Sequence, residues 1–214
     1  MSAKEVTDVP IDGRSARRER GRLAVLDAVF DLIEEGQIPP DVNELAERSN
    51  VSVASIFRYF DGLEDIQLQS MARFKDRFFP LFRIDKSASR STDQRIEMYV
   101  DSRLEMLAEV GSVVTLAGLR AMENPRFNQA YDTIRKMLAD QVRELFATEL
   151  ATHGPDSQAS VVAIVDSLAS PQAWNVMCRS HNQTTPQIRM AWITTLQAVF
   201  AAGSRPTFAD IAKD

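Results

Sequence analysis

The sequence predicts an all-α protein with a small N-terminal three-helix module and a larger C-terminal helical body. Three observations point there. Only 8 of the 214 residues are glycine, and β-branched residues do not cluster in alternating runs. Apolar residues recur instead at steps of three and four, the period of a helix buried along one face. At 44% apolar and 26% charged, the chain has the composition of an ordinary globular protein.

Residues 1–13 carry Pro10, Gly13 and scattered charges without a period, and read as a mobile tail. From Ser15, an apolar stripe of Leu23, Leu26, Phe30 and Ile33 predicts the first helix, stopped by Gly36 with Pro39 and Pro40 beyond. Asp41 is placed to cap a short helix ending at Ser49. Asn50-Val51 breaks it, and Ser52 caps a second short helix from Val53 to about Tyr59. Asp61-Gly62 is a turn signal, followed by a helix from Glu64 to about Phe79.

Beyond Pro80, the spacing predicts helices over Arg95–Glu109, Val113–Met122 and Phe127–Ala151. Two strongly apolar segments follow, Ser157–Ser180 (interrupted near Ser170-Pro171) and Pro186–Ala202. No repeat of 20–50 residues is present. The expected organisation is a tail over 1–13, a front module over 14–63, a helical body over 64–206 and a second tail over 207–214.

Several functional classes find no support. One cysteine, Cys178, cannot form an internal disulfide or a thiolate cluster, and His153 and His181 lack metal-ligand spacing. There is no Ser-His-Asp order, Gly-rich phosphate loop or paired-acid motif, so neither enzyme chemistry nor a cofactor is expected. A lone Cys178 in an apolar segment reads as inert despite the neighbouring Arg179. No apolar run is long enough to span a membrane and no secretion signal opens the chain, so a cytoplasmic location is expected.

The net charge of −5 makes no overall case for nucleic-acid binding, but its distribution does. Between residues 14 and 22, five arginines (14, 17, 18, 20 and 22) face one acid, Glu19. Immediately downstream, the two short helices suit a helix-turn-helix, whose second helix enters the major groove. Val42, Leu45, Ala46, Val51, Ile56 and Phe60 supply the inner faces. Ser52, Val53, Ala54, Ser55, Phe57, Arg58 and Tyr59 are left to share the outer ones. Small residues at the start of that helix allow deep entry toward base edges. Arg58 and Tyr59 are suited to flanking phosphates, and Asn43 is added from the first helix. The same spacing also fits a plain αα-corner inside a bundle.

The stretch resembles the TetR family of bacterial regulators, in a Gly-Val-Ser-type turn read here as Ser49-Asn50-Val51-Ser52 and an aromatic helix end read as Phe57-Arg58-Tyr59-Phe60. The match covers about residues 17–66, and extends more loosely through Arg95-Ile96, Ser170-Pro171-Gln172-Ala173-Trp174 and Trp192. Three departures stand out. Asn50 replaces the usual glycine, and asparagine tolerates the left-handed backbone. Phe57 replaces a phosphate-donating tyrosine, and Leu63 replaces a lysine. Each of these two replacements is expected to flatten the salt dependence of binding, which moves the electrostatic burden onto Arg17, Arg18 and Arg22.

The resemblance implies a homodimer formed through the last two long helices, a palindromic double-stranded DNA operator and a small-molecule effector bound in the body. The expected role is a repressor that the effector releases. Ile188, Trp192, Ile193, Leu196, Val199 and Phe200, and likewise Val161, Val162, Ile164, Val165 and Leu168, make helices apolar on more than one face. Such helices suit a dimer interface or an internal core. Candidate effector contacts are Phe78, Met98, Tyr99, Met106, Met122, Phe127 and Trp174, with Phe74 and Met137 beside them; methionines and aromatics at helical spacing are also plain core residues. No buried charge cluster is evident, which favours an apolar effector. The alternative reading is a small-molecule-binding or interaction protein whose DNA reader has degenerated.

Overall fold

The computed structural model describes residues 13–37, 39–84 and 91–202, and divides into two compact units. Among the described residues there are helices and turns and no strand. The tails expected over 1–13 and 207–214 lie outside the described residues, except Gly13, which opens the first helix.

The first unit contains α1 (Gly13–Glu34), α2 (Val42–Ser49), α3 (Val53–Tyr59) and the first part of α4 (Leu63–Phe78). α1 carries the largest share of its core through Val25, Leu26, Val29, Phe30 and Ile33. It ends where Gly36 adopts φ +91, which lets the Gly36 and Gln37 amides donate to Ile33 and Leu32 at 3.0 and 2.9 Å. Leu45, Ile56, Phe60, Ile66 and Met71 complete the core. The division falls between Arg73 and Phe74, inside α4 and beyond the expected boundary at 63/64. The reason is visible in the contacts: Arg73 makes a two-pronged ion pair with Asp27 at 2.9 Å, tying that part of α4 to α1.

The second unit holds the rest of α4, a 3-10 turn (Phe79–Phe82), α5 (Thr92–Glu123), α6 (Pro125–Leu145), α7 (Ala147–Leu150), α8 (Pro155–Leu168), α9 (Pro171–Asn175), a π turn (Val176–Ser180) and α10 (Thr185–Ala202). The two helices expected over 95–122 are joined into α5, with one non-helical residue, Val110 (φ −131), at a kink. Gly111-Ser112, poor helix formers, follow it directly.

The helix expected to run to Ala151 instead breaks at Phe146. That ring is fully buried, stacked on Phe200 at 4.5 Å and set edge-on to Tyr99 at 5.7 Å, so packing overrides the local periodicity. Ser170 caps α9 with Pro171 in the first turn. α5 packs against α6, α9 and α10, while α8 packs against α6 and α10.

Candidate nucleic-acid interface

The reader is assembled from local hydrogen bonds. Asp41 closes a capping box with Glu44: its side chain accepts from the Asn43 and Glu44 amides at 2.7 and 3.0 Å, and its own amide donates to Glu44 at 2.7 Å. At the other end of α2, Asn50 takes the left-handed conformation (φ 54, ψ 35), and the Val51 amide donates back to the Ala46 carbonyl at 3.2 Å. Ser52 caps α3 by accepting from the Ser55 amide at 3.3 Å. The two helices and turn expected from Asp41 to Phe60 are thus all present, with Ile56 and Phe60 pointing inward.

Ala54, Ser55 and Arg58 lie on the face of α3 opposite Ile56 and Phe60. Ser52, Ala54 and Arg58 are exposed, Val53 and Ser55 half-buried, and Asn43 is exposed on α2. A chain of hydrogen bonds runs along this face. Ser52 Oγ donates to Ser55 Oγ at 3.0 Å, and Arg58 Nη2 donates to the same Ser55 Oγ at 2.7 Å. The guanidinium therefore lies along α3. Phe57 is 58% exposed and Leu63 44% exposed, so the two departures from the family pattern are both apolar side chains open to solvent.

The arginine block is helical from its first residue, being the N-terminal half of α1. Spacing by fours puts Arg14, Arg18 and Arg22 on one stripe. Arg18 reaches toward α3, where its Nη2 donates to the Arg58 carbonyl at 3.4 Å and its guanidinium lies 6.0 Å from the Tyr59 ring centre. Tyr59 is half-buried against α1: a β-carbon at Gly21 would meet its ring at 3.1 Å and its hydroxyl oxygen at 3.3 Å. Arg17 and Arg20 are exposed.

Arg22 departs from expectation. It is half-buried, hydrogen-bonded to Gln69, 3.4 Å from Glu19 and 5.8 Å from the Phe60 ring centre. Gln69 in turn donates to both oxygens of Asp65 at 2.8 and 2.9 Å. Arg22 is committed to bracing α1 against α4, which makes it a structural residue of the module. Gln69 and Asp65 are contributors that sequence reasoning missed; their four-residue spacing is the signal that could have found them.

The effector candidates fall in different places. Tyr99, Met106, Phe78 and Phe127 are buried, and Met98 and Trp174 half-buried. Phe78 packs with Phe74 at 5.1 Å, Tyr99 with Phe146, and Trp174 with Trp192 at 6.4 Å. Met122 is 85% exposed, so contrary to expectation its side chain lies outside the interior. The buried stripe of this stretch runs Val113, Ala117, Ala121, and Met122 is out of phase with it. The body nevertheless buries charged side chains: Arg103 is 2% exposed in the middle of α5, and Glu149 is 8% exposed in α7.

Twenty-one solved chains match this fold. A transcriptional regulator from Rhodococcus sp. Rha1 aligns with a TM-score of 0.65 over 89% of this chain and 99% of its own, at 15% identity. A protein described as a TetR-family transcriptional regulator, from Rhodococcus sp., aligns at 0.63 over 85% of this chain and 99% of its own, also at 15% identity. The chain has the TetR-type fold. A transcriptional regulator from Pseudomonas aeruginosa PAO1 also aligns, at 0.62 over 94% of this chain and 98% of its own, at 15% identity. No protein-family model and no curated protein matches the sequence. Among the described residues no helix is long and apolar enough to cross a membrane, and no cluster of metal-ligating side chains occurs.

Proposed function

We propose that this TetR-fold protein is a DNA-binding transcriptional regulator that reads a palindromic operator as a homodimer and is released by a small molecule. The observation that carries the reading is α3. It is a capped helix with small and hydroxyl-bearing residues facing outward at its start, an arginine along the same face, and a second arginine-rich helix beside it. Ser52, Ala54 and Ser55 suit base edges in a major groove, and Arg58 suits a phosphate or a guanine edge once it leaves Ser55. Asn43, Arg17 and Arg18, with Arg14 and Arg20 on the same helix, supply contacts to the backbone.

The homodimer is supported by the outer surfaces of α8 and α10. Ser160, Ala163, Ile164 and Ser167 on α8, and Met190, Thr194 and Ala198 on α10, are exposed and uncharged, with Ile164 51% and Met190 62% exposed. Two such faces pair naturally as a four-helix interface. A two-fold dimer sets its reader helices about 34–36 Å apart, or a multiple of that, and so fixes the half-site spacing. Release requires an effector that favours the DNA-free arrangement, since equal affinity for both states shifts nothing.

Mobility shift with DNA flanking the protein's own gene tests the reading. Specific retardation at low salt, surviving competitor DNA, is the expected result. Absence of any shift from a sample that sediments as a dimer would instead favour a binding protein with a degenerate reader, the reading that solvent-open Phe57 and Leu63 support. Ile164→Arg is expected to convert the dimer to monomer in sedimentation and to abolish the shift.

A further inference from the structure

The core of the second unit contains a positive charge without an anion bonded to it. Arg103 lies in α5, in a stretch whose other buried residues are Tyr99, Val100, Leu104, Met106 and Leu107, and is 2% exposed. Its Nη2 donates to Gln141 Oε1 on α6 at 2.9 Å, a neutral acceptor, and its guanidinium lies over the Tyr99 ring at 4.8 Å from the centre. Its Nη1 is buried without an acceptor in hydrogen-bonding geometry, and the hydroxyl of Tyr99, itself 1% exposed, likewise lacks a well-formed hydrogen bond. The two groups are neighbours: burial raises the Tyr99 pKa, and the Arg103 guanidinium beside it pulls the other way.

A guanidinium keeps its charge in proteins, and a buried unsatisfied donor costs the folded state its full desolvation. Asp166 on α8 feels the Arg103 charge, but that carboxylate is hydrogen-bonded to Arg135. Burial pushes the Asp166 pKa up, against the pull of Arg135 and Arg103. The region where α5, α6 and α8 meet therefore holds two arginines against one aspartate, with two donors left over.

We infer that Arg103 and Tyr99 form an acceptor-binding subsite in which the effector places a single carboxylate, its apolar remainder lying among the apolar side chains of the same unit. The inference rests on the effector-responsive reading above and narrows it from an apolar molecule to an apolar monocarboxylate. The Arg103 Nη1 and Tyr99 hydroxyl donors would both be satisfied by such a group, through charge-assisted hydrogen bonds. The contacts to Gln141 and the Tyr99 ring tie Arg103 to its neighbours, but they leave Nη1 without an acceptor among the described residues.

The test uses the full chain, purified free of small molecules, with decanoate and 1-naphthylacetate as probes against decan-1-ol and 1-naphthylethanol. Binding is read by thermal shift and by tryptophan fluorescence, both tryptophans (Trp174 and Trp192) lying in the second unit. At least one carboxylate is expected to bind ten times or more tightly than its alcohol. Arg103→Met should erase that preference, and Tyr99→Phe should reduce it about threefold. Arg103→Met should also melt higher than wild type without probe, because it removes a buried charge that no anion balances; should it fail to fold, Tyr99→Phe carries the test. Equal binding of acid and alcohol, failure of every probe to bind, or an unchanged preference in Arg103→Met each overturns the inference. The two proposals separate in a DNA-binding assay. Release of DNA by alcohols and acids alike would leave the regulator reading standing and remove the carboxylate. Carboxylate binding without release would do the reverse.

Discussion

Asn50→Ala is expected to destabilise the front unit by about 1 kcal/mol, from backbone conformation alone. Asn50 sits at φ 54, ψ 35, its side chain is exposed, and the turn it forms lets the Val51 amide reach the Ala46 carbonyl. Left-handed backbone costs an ordinary L-residue roughly 1–2 kcal/mol, a cost that asparagine partly escapes and glycine avoids. Alanine must meet that cost, whereas Asn50→Gly should remain within about 0.5 kcal/mol of wild type, glycine's extra unfolded-state entropy offsetting its conformational ease. A loss of about 1 kcal/mol lowers Tm by roughly 4–8 °C in a unit of 60–100 residues that melts on its own, or 2–4 °C if a chain of about 200 residues unfolds as one. Calorimetry on the three proteins reads the difference. An alanine variant that melts with wild type would refute the left-handed turn. A glycine variant as destabilised as the alanine one would show that the Asn50 side chain, and not its backbone, is what matters.

Other substitutions separate the roles inside the module and the body. Ser52→Ala removes the α3 cap and should cost about 1 kcal/mol in urea denaturation, typical of losing a serine cap. Arg22→Met should lower stability while leaving the salt slope of DNA binding as in wild type, since Arg22 is spent on Gln69 and Phe60. Met122→Ser should change stability by no more than about 0.5 kcal/mol, as expected for a side chain so exposed. Glu149 provides the pH test. Burial works against its charge, but hydrogen bonds from Thr92, its own amide and Arg95 outweigh burial and lower its pKa. A carboxylate with a depressed folded-state pKa contributes stability above its unfolded value, near pH 4.3, that is lost as pH falls through the folded value. Thr92→Val should therefore make the acid-side fall in Tm shallower than in wild type.

What is legible in the sequence is what is decided locally. The caps at Asp41 and Ser52, the left-handed Asn50 and the stop at Gly36 depend on residues within five positions of one another, and each forms as its residue type implies. The outward face of α3 follows from helical spacing in the same way. The role of Arg22 is not legible, because its partner, Gln69, lies 47 positions away and nothing local distinguishes a bracing arginine from one that faces phosphate. The break at Phe146 likewise follows from rings brought together from Tyr99 and Phe200. Two features do have a local signal that the sequence reading passed over. Met122 is out of phase with the Val113–Ala117–Ala121 stripe, and Arg103 stands four residues after Tyr99 inside an otherwise apolar face.

The most direct measurement of the central claim is the salt dependence of binding to duplex DNA from the protein's own promoter region, for wild type and for the double variant Arg17→Ala with Arg18→Ala. Wild type is expected to bind with a steep negative slope of log affinity against log salt. The double variant should bind more weakly, with a slope smaller by about 0.9 for each phosphate it no longer neutralises, up to roughly 1.8 for the pair. An unchanged slope and affinity would remove the arginines of α1 from the interface, and no binding by wild type at low salt would contradict the assignment of α3 as a DNA reader.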